Sequence, residues 1–115
     1  MVFEELETEK GSISFLQQKD YLIQELDSFF DLIYSAKSDT IAVHSSHLPE
    51  HFFDLKTGFA GEIFQKITNY QKRFIILGDY SNITSKSFND LIYESNKNGK
   101  VIFSETLEAA IRLLK

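Results

Sequence analysis

Apolar positions along the chain recur with two rhythms, and the rhythms predict an alternation of strands and helices. Residues 2–8 and 12–17 read as two short strands, with Ile13 and Phe15 alternating with polar neighbours and Lys10-Gly11-Ser12 supplying a turn between them. A helical stripe follows, made of Leu22, Leu26, Phe29 and Ile33 with Ile23 and Phe30 beside it. Asp20 is its expected cap and Ala36 its expected end. Thr40-Ile41-Ala42-Val43-His44 is β-branched and apolar, the signature of a buried strand. Residues 45–56 are irregular, with one helical turn expected at Pro49.

The second half repeats the alternation. Thr57 is the expected cap of a helix to Tyr70 with Phe59, Ile63, Ile67 and Tyr70 on its apolar stripe. Gly58 and Gly61 weaken that helix, which predicts a close backbone approach there. Residues 73–78 form the next buried strand, and 79–85 a loop. Thr84 or Ser85 caps a helix to Asn98 with Phe88, Leu91 and Ile92 inward, closed by Gly99. Residues 101–103 make the last strand and Glu105 to Leu114 the last helix, with Leu107, Ala110, Ile111 and Leu114 in register. The order is ββαβαβαβα. It predicts one α/β domain over 1–115, with a single mixed, mostly parallel sheet of about five strands and about four helices.

Composition narrows the function classes. Eleven phenylalanines among 115 residues, 43% of them hydrophobic, are enough for one core with rings left for an interface. A net charge of −5 disfavours nucleic acid and anionic membrane, and Lys72-Arg73 and Lys97/Lys100 are too short to make a basic patch. No cysteine is present, which excludes disulfides, thiolate metal sites and cysteine nucleophiles. The acidic start, Met1-Val2-Phe3-Glu4-Glu5, is unlike a signal peptide, and no apolar run approaches a membrane span. The expectation is a cytoplasmic protein.

Ligands of open α/β sheets bind beyond the carboxyl ends of parallel strands. Here two polar loops leave those ends, residues 44–57 and 79–87. The first holds His44, His47, His51 and Asp54, a zinc-like composition without any zinc-ligand spacing, so no metal is assigned, and His47 and His51 are expected on the surface. Ser45-Ser46 near His47 lacks the G-x-S-x-G elbow, and no catalytic residue is assigned. Two helix N-termini, after Thr57 and after Thr84-Ser85, favour an anion on this face, with Ser81, Lys86 and Ser87 as further donors. The absence of G-x-x-x-x-G-K-[ST] argues against a nucleotide triphosphate, and no cofactor is implied. Of Phe52-Phe53, one ring is expected in the core and the other in a contact patch. Glu62 and Asp79 are a candidate carboxylate pair across the face.

Pro-Glu-His-Phe-Phe-Asp-Leu-Lys-Thr-Gly-Phe-Ala-Gly (49–61), Glu62–Lys66, Leu77-Gly78-Asp79-Tyr80-Ser81, Thr84–Ser87 and Ile92–Asn96 followed by Gly99 together resemble the family called domain of unknown function 4180. The resemblance covers 41–114 well and the first hairpin loosely. It implies a small bacterial cytoplasmic protein and brings no reaction. More loosely, the element order looks like the STAS domain, the fold of anti-sigma-factor antagonists. That similarity sets Asp54-Leu55-Lys56-Thr57-Gly58-Phe59 against an Asp-Ser-Ser-Gly-Leu motif and Thr57 in the place of the phosphorylated serine, where a phosphate at a helix N-terminus is favourable. Leu55-Lys56 depart from the motif.

These readings converge on a non-enzymatic regulatory or protein-binding module with a STAS-like fold. Its candidate binding face is His44, His51, Asp54, Lys56, Thr57, Gly58, Asp79, Ser81, Thr84, Ser85 and Lys86. The alternative is a small-ligand or anion-binding protein, possibly an enzyme, in which Asp54, Lys56, Thr57, Asp79 and Ser85 converge. The phenylalanine content and the hairpin edge also allow a homodimer.

Overall fold

In the computed structural model, which describes Met1–Lys115, five strands lie side by side in chain order: β1 (Phe3–Thr8), β2 (Gly11–Leu16), β3 (Thr40–His44), β4 (Arg73–Leu77) and β5 (Val101–Ser104). The hairpin strands β1 and β2 are antiparallel, with Glu4 opposite Phe15 and Leu6 opposite Ile13. The pairs β2–β3, β3–β4 and β4–β5 are parallel. Four helices complete the expected order: α1 (Leu26–Ser35), α2 (Phe59–Asn69), α3 (Lys86–Asn98) and α4 (Leu107–Leu113). The α/β class and the mixed, mostly parallel sheet follow the sequence reading. No helix is long and apolar enough to cross a membrane.

Strand alternation divides the core in two. Leu16, Ile41, Val43, Phe74, Ile76, Val101 and Phe103 point to one face and pack against Phe29, Leu32 and Ile33 of α1, Phe59, Ala60, Ile63 and Ile67 of α2, and Phe88 of α3. Ile13, Ala42, Ile75, Leu77 and Ile102 point to the other face, where the short α4 supplies Ala110 and the residue after it, Leu114, completes the cluster. Each parallel step moves one strand across the sheet, so right-handed crossovers put α1, α2 and α3 on the same side. Only α4 turns back over the second face.

Polar anchors hold the edges of this arrangement. Glu5 of β1 accepts hydrogen bonds from the Ser14 hydroxyl (2.8 Å) and the Ser38 hydroxyl (2.9 Å), and Ser14 also accepts from the Ser38 N–H (3.0 Å). On the other face of the sheet, Lys10 in the hairpin turn donates to the carbonyls of Ile111 (3.1 Å) and Leu114 (2.6 Å), closing the C-terminus of α4. Arg73 adds to this second anchor, donating to the Lys10 carbonyl and to Thr40 Oγ1 (2.8 Å).

Several local expectations are corrected. Asp20 does not cap α1. The helix starts six residues later after Glu25, because Ile23 is drawn into the core as a loop residue and its N–H donates to the His47 carbonyl (2.7 Å). Leu22 is consequently exposed. Thr57 is not the N-cap of α2: that position is Gly58, at φ 78. Neither Gly58 nor Gly61 lies close to another group, so the predicted close approach is wrong for both. The crowded glycines are Gly78, where a Cβ would sit 2.8 Å from Cβ of Ser45, and Gly99, where it would sit 2.6 Å from Cγ of Lys115. Tyr70 leaves the apolar stripe at the end of α2 and is exposed, edge-on to Phe30 at 5.7 Å between ring centroids. The last helix begins at Leu107 with Thr106 as its cap. Ser85 caps α3 by accepting from the Phe88 N–H (3.2 Å), and Gly99 closes it at φ 87, both as expected.

Candidate functional site

Parallel pairing brings the carboxyl ends of β2, β3 and β4 to one edge, at Leu16, His44 and Leu77. The chain leaving β3 is not a free loop. It folds into three single-turn 3-10 helices, Ser45–His47, Glu50–Phe53 and Leu55–Thr57. Leu48, between the first two, and Phe52, within the second, are driven into the core, which fixes the segment against the sheet. Phe53 is half-buried and packs on Phe52 and Phe88 with ring centroids 5.0 and 5.4 Å away.

The three histidines part company. His47 is buried, contrary to expectation. Its Nδ1 accepts from the His44 N–H (3.0 Å), so its Nε2 carries the proton and donates to the Gln18 carbonyl (2.6 Å). Burial pushes its pKa below the ordinary histidine value. His44 is exposed and its ring lies 5.4 Å from that of Phe15. His51 is exposed on the far side, 4.9 Å from the Phe59 ring. No three His, Asp or Glu side chains gather into a set that could hold a metal ion.

The polar residues of the candidate face mostly serve their own turns. Asp54 accepts from the Lys56 N–H (3.1 Å). The Thr57 hydroxyl donates back to the carbonyls of His51 (2.7 Å) and Asp54 (2.9 Å) and accepts from the Phe59 N–H (3.3 Å). Asp79 accepts from the Ser81 N–H (2.9 Å), and hydrogen bonding to the Ser81 side chain and backbone holds its carboxyl below the usual range. Lys86 pairs with Asp90 at 2.8 Å on the surface, which raises its pKa. Thr84 is exposed.

The candidates divide between separate cavities. His51 and Thr57 line one of about 440 Å³ with Glu25, Asp27 and Glu62, an acidic cleft where α1 and α2 begin. Asp79 lines another of about 270 Å³ with Ser45, Ser46, Phe53, Tyr80 and Ile83, between the segments leaving β3 and β4. Glu62 and Asp79 therefore line different cavities. Asp54, Lys56 and Ser85 line neither of the two. Tyr80 and Ile83 were not among the sequence candidates. Tyr80 is largely buried, its hydroxyl donates to the Ile76 carbonyl (2.6 Å), and burial raises its pKa. The signal for this pair was weak: two apolar side chains in a loop otherwise rich in serine, asparagine and threonine.

A family model described as Domain of unknown function (DUF4180) matches residues 8–114, from the end of β1 to the residue after α4. The chain belongs to the DUF4180 family. The matched span contains every candidate of the two polar loops, together with His47, Tyr80 and Ile83. Among curated proteins and solved structures nothing matches this DUF4180 chain.

Proposed function

We propose that this DUF4180 protein is a non-enzymatic regulatory or protein-binding module, and that its docking surface is the cleft between the segments leaving β3 and β4. One observation carries the reading. Asp54, Thr57 and Asp79 spend their side-chain hydrogen bonds on their own turns, while Phe53, Tyr80 and Ile83 give the cleft an apolar lining with Ser45, Ser46 and Asp79 around it. Catalysis needs polar groups free to converge on a reacting atom. A shallow apolar floor with a polar rim is instead the anatomy of a protein interface. The loose similarity of the element order to STAS domains adds the regulatory part.

A Thr57 switch would act by release. The hydroxyl is a donor within its turn, and Glu25, Asp27 and Glu62 line the cavity it faces. A phosphate on Thr57 would lose both donor bonds and meet like charge, loosening the 55–57 turn rather than docking on it. Quantitative affinity capture with wild type, Ile83→Asp and Thr57→Glu tests the proposal. A partner retained by wild type and lost by Ile83→Asp supports it. Identical recovery with all three overturns it.

A further inference from the structure

We propose that the cavity between the carboxyl ends of β2 and β3 is a binding site for a small aromatic monocarboxylate, a function separate from the docking cleft. The cavity has a volume of about 490 Å³, within the range of small-molecule sites. Its walls come from one end of three neighbouring strands: Glu4 of β1, Phe15 near the end of β2 with Lys19 just beyond, and His44 and Ser46 where the chain leaves β3.

The walls are held in place. His47 stands between the two strand ends, with its Nε2 on the Gln18 carbonyl, its Nδ1 on the His44 N–H and its own carbonyl on the Ile23 N–H. These bonds tie the segment leaving β2 to the segment leaving β3. The cavity therefore exists before any ligand arrives.

The lining defines the ligand. The Phe15 and His44 rings, 5.4 Å apart and tilted by 41°, make an aromatic wall. The ion pairs of the molecule are Lys72–Asp39 and Lys86–Asp90, so Lys19 and Glu4 are both unpaired. The Lys19 ammonium is a free partner for one negative group. Glu4 on the same cavity opposes a second one, which selects a monoanion over a phosphate-type polyanion. Ser46 lines this cavity and the docking cleft alike. Neither proposal depends on the other.

Amide NMR of the full chain, titrated with phenylacetate, phenylacetamide and inorganic phosphate, tests the assignment. Phenylacetate should give saturable shifts at residues 15–19 and 44–47. Phenylacetamide, the same shape without the charge, and phosphate, charge without the ring, should each bind about tenfold more weakly or not at all. Lys19→Met should weaken phenylacetate about tenfold, and Lys97→Met, on the exposed face of α3, should leave it unchanged. Lys19 is exposed, so its replacement leaves the core intact. Absence of saturable phenylacetate shifts at these residues, equal affinity for the amide or phosphate, or indifference to Lys19→Met would overturn the proposal.

Discussion

The Nδ1 of His47 accepts the N–H of His44 across 3.0 Å, and this bond requires the neutral imidazole. Protonation at Nδ1 would remove the acceptor from a buried ring. The folded state thus holds His47 below its ordinary value of 6.5, mainly by burial. The unfolded chain binds the proton more readily, so the stabilisation is complete above pH 6.5 and is lost as the pH falls through the folded pKa. Denaturant unfolding from pH 8 to pH 5 should show this loss. His47→Leu should abolish that component and cost about 1–3 kcal/mol at pH 7.5, because the Gln18 carbonyl and His44 N–H lose their partner. A pH profile unchanged in His47→Leu would contradict the assignment.

Two glycines three residues apart should respond in opposite directions. Gly61 sits inside α2 with open space around it, so Gly61→Ala should stabilise by up to about 1 kcal/mol. Gly58 is left-handed at φ 78, so Gly58→Ala should destabilise by about 1–2 kcal/mol. Chemical denaturation of the two variants checks the sign of each.

Gln71 is the only non-glycine residue at positive φ, 56, where the chain turns out of α2. Its N–H bonds the Thr68 carbonyl and that of Lys72 the Ile67 carbonyl. This C-terminal turn favours glycine. Gln71→Gly should therefore stabilise by a few tenths to about 1 kcal/mol, measured by the same unfolding assay.

Lys10 reaches the carbonyls closing α4 from a residue more than a hundred positions away in sequence. Lys10→Met keeps most of the stem and removes the charge. It should cost about 1–2 kcal/mol. Amide exchange of Ala110 to Leu114 should rise with it, and unchanged protection there would count against the anchor.

Much of the architecture was legible because each parallel strand reads as an apolar run and each helix carries its own stripe. Thr40–His44 and Arg73–Leu77 are the clearest cases. What misled was local chemistry with a tertiary purpose. Ile23 has the phase of a helical residue, yet it is buried in the loop before α1 and tied to His47. Thr57 has the composition of a cap, yet its hydroxyl turns backward to the 3-10 segment. The clustering of histidines suggested one site, and the fold sends them to three environments. Asp79 and Ser45 were visible as loop polar residues. Their sharing of a cleft with Phe53, Tyr80 and Ile83 depends on how the segments leaving β3 and β4 pack, which no spacing along the chain encodes.

The most direct test of the docking cleft is photo-crosslinking in cells, with a benzophenone side chain at position 83 and, as a control, at position 93, where Tyr93 is exposed on α3. Position 83 should yield a discrete crosslinked protein that is absent from position 93 and lost when Phe53→Asp is added. Adducts identical at both positions, or none at position 83, would contradict it.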